Sequence, residues 1–152
     1  MLQQTQKNLR RTKATIAIVA SEYNAQYVNG MLAHAEATLK NAGAKIKTVR
    51  VPGAFEIPVI AAALARRKGV AAVICLGVIL RGETTHADHV GRTVSHLLGA
   101  IAVETGTPII HEVLLLENEA QAKARCLAAK FNRGAEAAHT ALAMAALRSA
   151  LK

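Results

Sequence analysis

The sequence predicts an α/β fold, a three-layer α/β/α sandwich around a four-stranded parallel sheet. Two observations carry that prediction. Short apolar runs alternate with longer segments of helical period, in the order β-α-β-α-β-α-β-α-α. The runs at 15–20 and 70–80 are apolar without polar alternation, as strands covered on both faces are. Right-handed crossovers then place helices on both sides of such a sheet.

Each element has its own signal. Residues 1–13, MLQQTQKNLRRTK, read as a polar arm, and 14–152 as one domain. Thr15–Ala20 is the first strand. Past Ser21-Glu22-Tyr23-Asn24 the period changes, and Val28, Met31, Leu32, Ala35 and Leu39 share a helical face that Gly43 stops. Ile46–Val51 is the second strand, ended by Pro52-Gly53. Ile57 to Lys68 is an Ala-rich helix with Pro58 in its first turn and Gly69 closing it. Val70–Leu80 holds the third strand, the most apolar and therefore central. A polar turn, Arg81 to His86, leads into a helix with Val90, Val94, Leu97, Leu98 and Ile101 on one face, ending near Gly106. Pro108–Leu116 is the fourth strand. Two helices follow, parted near Asn132-Arg133-Gly134, the second with Ala138, Leu142 and Ala145 inward and Leu147 a candidate beside them.

Composition narrows the function classes. A chain of 152 residues with 52% apolar and 19% charged residues is globular, and no apolar run approaches a membrane span. The arm is not followed by a signal-type apolar segment, and two cysteines, Cys75 and Cys126, make neither a disulfide framework nor a zinc spacing, which predicts a cytoplasmic protein. The net charge is +9. Lys7, Arg10, Arg11 and Lys13 crowd the arm while the remainder is scattered, and Tyr23, Tyr27, Phe55 and Phe131 are too few to build a base-stacking surface. Neither nucleic acid nor membrane is an expected partner, and a basic balance also suits a phosphorylated small molecule.

In parallel α/β sheets ligands sit at the carboxyl ends of the strands, here the segments 21–24, 52–56, 77–88 and 111–118. Tyr23 offers a ring after the first strand, or is a rim tyrosine beside a helix cap. Gly53, Phe55 and Glu56 offer amides, a ring and a carboxylate able to accept from a polyol, though Glu56 could equally complement a helix dipole. In Arg81-Gly82-Glu83-Thr84-Thr85-His86, hydroxyls and amides could surround a phosphate, Arg81 could add charge, and His86 could move protons near neutrality. The plainer reading is a structural turn. GxGxxG and GxxxxGK[ST] are absent, as is a G-x-S-x-G elbow. His86, Asp88 and His89 include metal-ligand types without a companion spacing, so no metal is expected. His34, His96 and His139 read as ordinary helix residues, whereas His111 lies near the sheet rim. Arg125 and Arg133 are free cationic candidates on the C-terminal helices.

The ordered blocks S-E-Y-N, V-P-G-A-F-E-I-P, L-G-V-I-L-R-G-E-T-T-H-A-D-H-V, V-L-L-L-E-N-E-A-Q-A-K-A-R and N-R-G-A-E-A-A together resemble the 6,7-dimethyl-8-ribityllumazine synthase family from about residue 14 to 147. The resemblance implies a flavodoxin-like sheet and the penultimate step of riboflavin biosynthesis. In that reaction 5-amino-6-(D-ribitylamino)uracil condenses with 3,4-dihydroxy-2-butanone 4-phosphate, releasing phosphate and water, with no cofactor or metal. It also implies a pentamer-based homo-oligomer with active sites between subunits. Residue by residue, Tyr23 matches the position that stacks on the pyrimidine. Ala54, Phe55 and Glu56 match the ribityl-binding segment, and Val78, Ile79 and Leu80 match the strand end against the heterocycle. Gly82, Glu83 and Thr84 match the phosphate turn, Arg125 its charged partner and His86 the proton-transfer residue. His111 stands where an apolar or aromatic side chain of the neighbouring subunit meets the ring, Leu115-Leu116 replaces a more polar pair, and Leu127 replaces a usual glycine. The alternative is a non-catalytic flavin- or lumazine-binding protein of the same fold, for which His111 is the support.

Overall fold

A computed structural model describes residues 8–152, so the first seven residues of the expected arm, Lys7 among them, lie outside the described residues. Four strands, β1 (Thr15–Ser21), β2 (Lys45–Val51), β3 (Val70–Leu80) and β4 (Ile109–Leu116), form a parallel sheet in the order β2-β1-β3-β4. Five helices accompany it: α1 (Ala25–Asn41), α2 (Ile57–Ala65), α3 (His86–Thr105), α4 (Glu119–Ala122) and α5 (Arg133–Ala150).

The alternation of side chains along β1 and β3 divides the core in two. Ile16, Ile18, Ala72, Ile74 and Leu76 pack with Val28, Met31, Leu39, Ala138 and Leu142, under α1 and α5. Ala17, Val19, Val73 and Cys75 pack with Ile57, Leu64, Val94 and Leu98, under α2 and α3. These are the predicted three layers. The edge strand β2 instead alternates, with Lys45, Lys47 and Arg50 exposed, the charged pattern common on edge strands.

The termini of the elements follow from local chemistry. Gly43 (φ 84°) and Gly106 (φ 68°) take left-handed turns after α1 and α3. Asn132 is buried and two-handed. Its Oδ1 accepts from the Gly134 and Ala135 amides at 2.9 and 3.4 Å, capping α5. Its Nδ2 donates to the Cys126 and Ala128 carbonyls at 2.8 and 3.1 Å.

Several expectations need correction. α2 stops at Ala65, not Lys68, because Arg66 to Gly69 turn directly into β3. The segment after β4 is not a regular helix up to Asn132. α4 spans four residues and opens into a wide π turn, Lys123–Leu127, after which Ala128 is extended. Gly30 of α1 lies so close that a Cβ there would collide with the Cys126 carbonyl oxygen, and Leu127 packs above it. Leu147 faces out with 54% of its surface exposed, because α5 turns its small residues to the core and leaves this flank uncovered. Leu97 is likewise partly exposed, with only Val94, Leu98 and Ile101 of its stripe buried on α3 and Val90 half-buried.

Candidate functional site

At the carboxyl ends of β1, β2 and β3 lies a cleft of about 420 Å³, lined by the first, second and third loops together. Backbone bonds stitch the first two loops, the Glu22 amide donating to the Val51 carbonyl (2.8 Å) and the Tyr23 amide to the Pro52 carbonyl (3.0 Å). Arg50 adds a brace, donating to the Ser21 carbonyl at 3.0 Å. Asn24 takes a left-handed conformation (φ 56°, ψ 42°) that asparagine tolerates, and its Nδ2 donates to the Val78 carbonyl at 2.7 Å. The first loop is thereby pinned to the end of the central strand, while Tyr23 stays 75% exposed with its ring free to meet a ligand.

Gly53 to Glu56 form the second wall. A single 3₁₀ turn, Ala54–Glu56, leads into α2, and a Cβ on Gly53 would stand 3.0 Å from Glu56 Oε2, so the missing side chain leaves room for that carboxylate. Phe55 is also exposed. The floor is Val78, Ile79 and Leu80, and the far wall is Gly82, Thr84, His86, Ala87 and Val90. His86 is the first residue of α3, its amide donating to Thr84 Oγ1 at 3.4 Å, so the positive end of a 20-residue helix faces this part of the cleft. Such an end favours an anion.

Ten predicted positions therefore meet in one place: Tyr23, Ala54, Phe55, Glu56, Val78, Ile79, Leu80, Gly82, Thr84 and His86. Three others do not line the cleft. Glu83 is exposed on the turn beside it. His111 lies on β4 opposite Cys75, five residues short of the strand end at Leu116, roughly 16 Å. It lines a separate groove with Glu112, Arg133 and Met144. Arg125, on the π turn, lines another with Leu114, Leu116, Gln121 and Arg133, and spends one weak bond on the Gln121 carbonyl (3.4 Å).

Arg81 corrects a prediction. Its guanidinium is not offered to a ligand but bonds Asp88 Oδ2 at 2.7 Å and Glu117 Oε1 at 2.9 Å, while its amide donates to the Leu116 carbonyl. The Arg81 hydrogen bond holds the Asp88 carboxyl below its ordinary range. Arg81 thus ties the turn before α3 to the end of β4, and Asp88 pairs with it rather than capping the helix. Among the described residues no group of three or more His, Cys, Asp or Glu side chains is placed to hold a metal ion.

His111 has a defined protonation pattern. The Val113 amide donates to its Nδ1 at 3.1 Å, so that nitrogen is unprotonated, and Nε2 lies 2.7 Å from Ser95 Oγ and carries the proton. Partial burial pulls its pKa down, which favours the same neutral ring. Next to it, Glu112 is buried and accepts a fork from Arg133, at 2.7 and 3.2 Å. Burial raises the Glu112 carboxyl, and the Arg133 guanidinium opposes that rise. Arg133 is therefore anchored rather than free.

Sequence reasoning missed Asn24 as a shaping residue, together with Ala87 and Val90 as lining residues, whereas Gly53 lines the cleft as expected. Asn24 had one available signal, since asparagine directly after a strand is a common holder of positive φ.

The profile of 6,7-dimethyl-8-ribityllumazine synthase matches residues 13–149. The chain belongs to that family. A 6,7-dimethyl-8-ribityllumazine synthase of Leifsonia xyli is 42% identical over 143 residues, covering 93% of this chain and 90% of the relative. One of Kineococcus radiotolerans is 45% identical over 130 residues, 84% and 80% of the two chains. One of Xanthomonas euvesicatoria is 36% identical over 147 residues, 95% and 96%. The lumazine synthase match takes in every segment lining the cleft and all three positions outside it, Glu83, His111 and Arg125. No helix among the described residues is long and apolar enough to cross a membrane.

Proposed function

We propose that this chain condenses 5-amino-6-(D-ribitylamino)uracil with 3,4-dihydroxy-2-butanone 4-phosphate to 6,7-dimethyl-8-ribityllumazine, releasing phosphate and water. The observation that carries the reading is the convergence, in a member of this family, of an aromatic ring, a carboxylate, a strand end and a helix N-terminus with His86 around one cleft. Residues 14–152 act as the catalytic domain behind a polar arm, in the cytoplasm, where the buried free thiols Cys75 and Cys126 suit a reducing environment.

In this reading the pyrimidine stacks on Tyr23 against Val78, Ile79 and Leu80, and its ribityl hydroxyls donate to Glu56 beside Ala54 and Phe55. The phosphate sits at the amides of Gly82, Glu83 and Thr84 and at the start of α3. Nothing among the described residues fills the space where a Gly82 Cβ would stand, so the glycine is not demanded by their packing. A bound anion would use that space. The 5-amino group attacks the ketone, water leaves to give an imine, phosphate is eliminated, and the ribitylamino nitrogen closes the second ring with loss of water. His86 carries protons through imine formation and elimination. Much of the acceleration comes from holding two partners in register, an effect worth roughly 7–11 kcal/mol.

Arg125 and His111 reach this chemistry from a neighbouring subunit. Both lie on the β4 side of the chain, outside its own cleft, which supports a pentamer-based homo-oligomer whose sites are completed by the adjacent copy. The test is to incubate the protein with both substrates, following lumazine absorbance and released phosphate together. A parallel rise above the uncatalysed background is expected. Background rate alone, with the protein folded and binding a lumazine, would refute the catalytic reading.

A further inference from the structure

A cleft of about 670 Å³, larger than the 420 Å³ one at the carboxyl ends of the strands, lies elsewhere. It lies where β3 begins, at Val70, roughly 26 Å along that strand from Val78. Arg11, Arg67, Lys68, Arg148 and Lys152 converge on it from three separate parts of the chain, and no Asp or Glu side chain lines it. Arg11, Arg67 and Lys68 form no ion pair with a described carboxylate, and Arg148 makes only a 3.4 Å bond to the Val70 carbonyl. Cations at the ends of α2 and α5 complement helix dipoles, but two helix ends supply only about one negative charge between them. Five positive charges exceed that need severalfold. In addition, the Lys68 and Gly69 amides donate to no backbone carbonyl in the turn before β3, so main-chain donors stand beside the side-chain ones.

We propose that this cleft binds a small anion carrying two or more phosphate groups, at a site distinct from the one that performs the condensation. Guanidinium forks and ammonium groups together recognise phosphate oxygens, and several of them call for a multiply charged ligand. No aromatic side chain lines the cleft, so recognition runs through the phosphates and not through a stacked base. The basic residues are gathered in one concavity, which fits a compact anion better than a nucleic-acid backbone.

The experiment is calorimetric titration of inorganic pyrophosphate into the full-length Arg125→Gln protein, in which the proposed phosphate subsite of the condensation is weakened. One equivalent per chain is expected. Adding Arg67→Gln and Lys68→Gln should weaken binding more than about tenfold, since each removes a charged hydrogen bond. The charge-keeping exchange Arg67→Lys with Lys68→Arg should retain it. In the otherwise unaltered chain, Arg67→Gln with Lys68→Gln should leave lumazine formation unchanged. Absence of heat overturns the proposal, as does equal affinity after the glutamine substitutions or loss in the charge-keeping variant. Retention of single-stranded RNA where pyrophosphate gives no heat overturns it in favour of nucleic acid.

Discussion

Gly134→Ala is the sharpest test of how the outer layer is built. At the start of α5 the backbone rests against α1, and a Cβ on Gly134 would overlap the Met31 carbonyl oxygen and stand 2.5 and 2.6 Å from its carbonyl carbon and Cα. Ordinary contact begins near 3.4 Å, so the two helices would have to part by at least about 1 Å. Backbone cannot swing aside as a side chain can. The cost therefore sits at or above the upper end of the ~1–3 kcal/mol typical of overpacking. A gap of that size also forfeits a quarter to a half of the dispersion energy of the contacts it opens, here among the buried Met31, Ala35, Ala137, Ala138 and Leu142. Alanine's better helix propensity returns up to about 1 kcal/mol. A net loss of about 2–4 kcal/mol follows. Urea unfolding at fixed protein concentration should show the midpoint falling with the slope unchanged. Gly99→Ala is the control. It is exposed in mid-α3 with no described residue within 4 Å of the place its added methyl would take, and should gain about 0.5–1 kcal/mol. If Gly134→Ala matched that gain, or were neutral, the account of close helix approach would be wrong.

Four further outcomes can be checked. His86→Ala should lower kcat by no more than about 10²–10⁴ and leave measurable lumazine formation, because positioning survives; complete loss with folding and substrate binding intact would refute the positioning argument. Arg125→Gln should raise KM for the phosphorylated ketone by about ten- to a hundredfold while sparing KM for the pyrimidine, as steady-state kinetics in each substrate would show. For His111, the folded chain holds its proton less tightly than the unfolded chain does. Its contribution to stability is thus complete above roughly pH 6.5 and is lost as the pH falls. The difference between wild-type and His111→Phe unfolding profiles should show that loss below neutrality and none above it. Asp88→Asn releases one arm of Arg81, so kcat/KM for the phosphorylated substrate should fall modestly in ordinary activity assays while the melting temperature barely moves.

The architecture was legible because its period changes sharply. Continuous apolar runs at β1 and β3 announced buried central strands, and the spacing of Val28, Met31, Ala35 and Leu39 gave a helix face that is buried in the fold. The segment after β4 was not legible in that way. Its Ala-rich sequence suits a regular helix, and the wide turn at Lys123–Leu127 arises where Gly30 crowds the Cys126 carbonyl, a contact between residues far apart in the chain. Leu147 misled for a related reason, since an Ala-rich helix offers two nearly equivalent faces. Within the site, loop position pointed to the segments that carry Tyr23, Glu56, Thr84 and His86, but residue type left each open to a structural role until the ordered motifs were read together; all four line one cleft. They could not reveal that Arg81 is consumed by Asp88 and Glu117, because Glu117 lies a whole crossover away in sequence.

The separation of His86 from Arg125 has a genetic consequence. A chain lacking the histidine still presents a sound arginine on its other flank, and a chain lacking the arginine still presents a sound histidine. In the proposed ring, two defective alleles expressed in one cell would rescue each other, with roughly a quarter of the interfaces regaining both groups under random assembly. Placing both lesions on a single copy would abolish that rescue, and a surplus of doubly defective chains would poison wild-type neighbours.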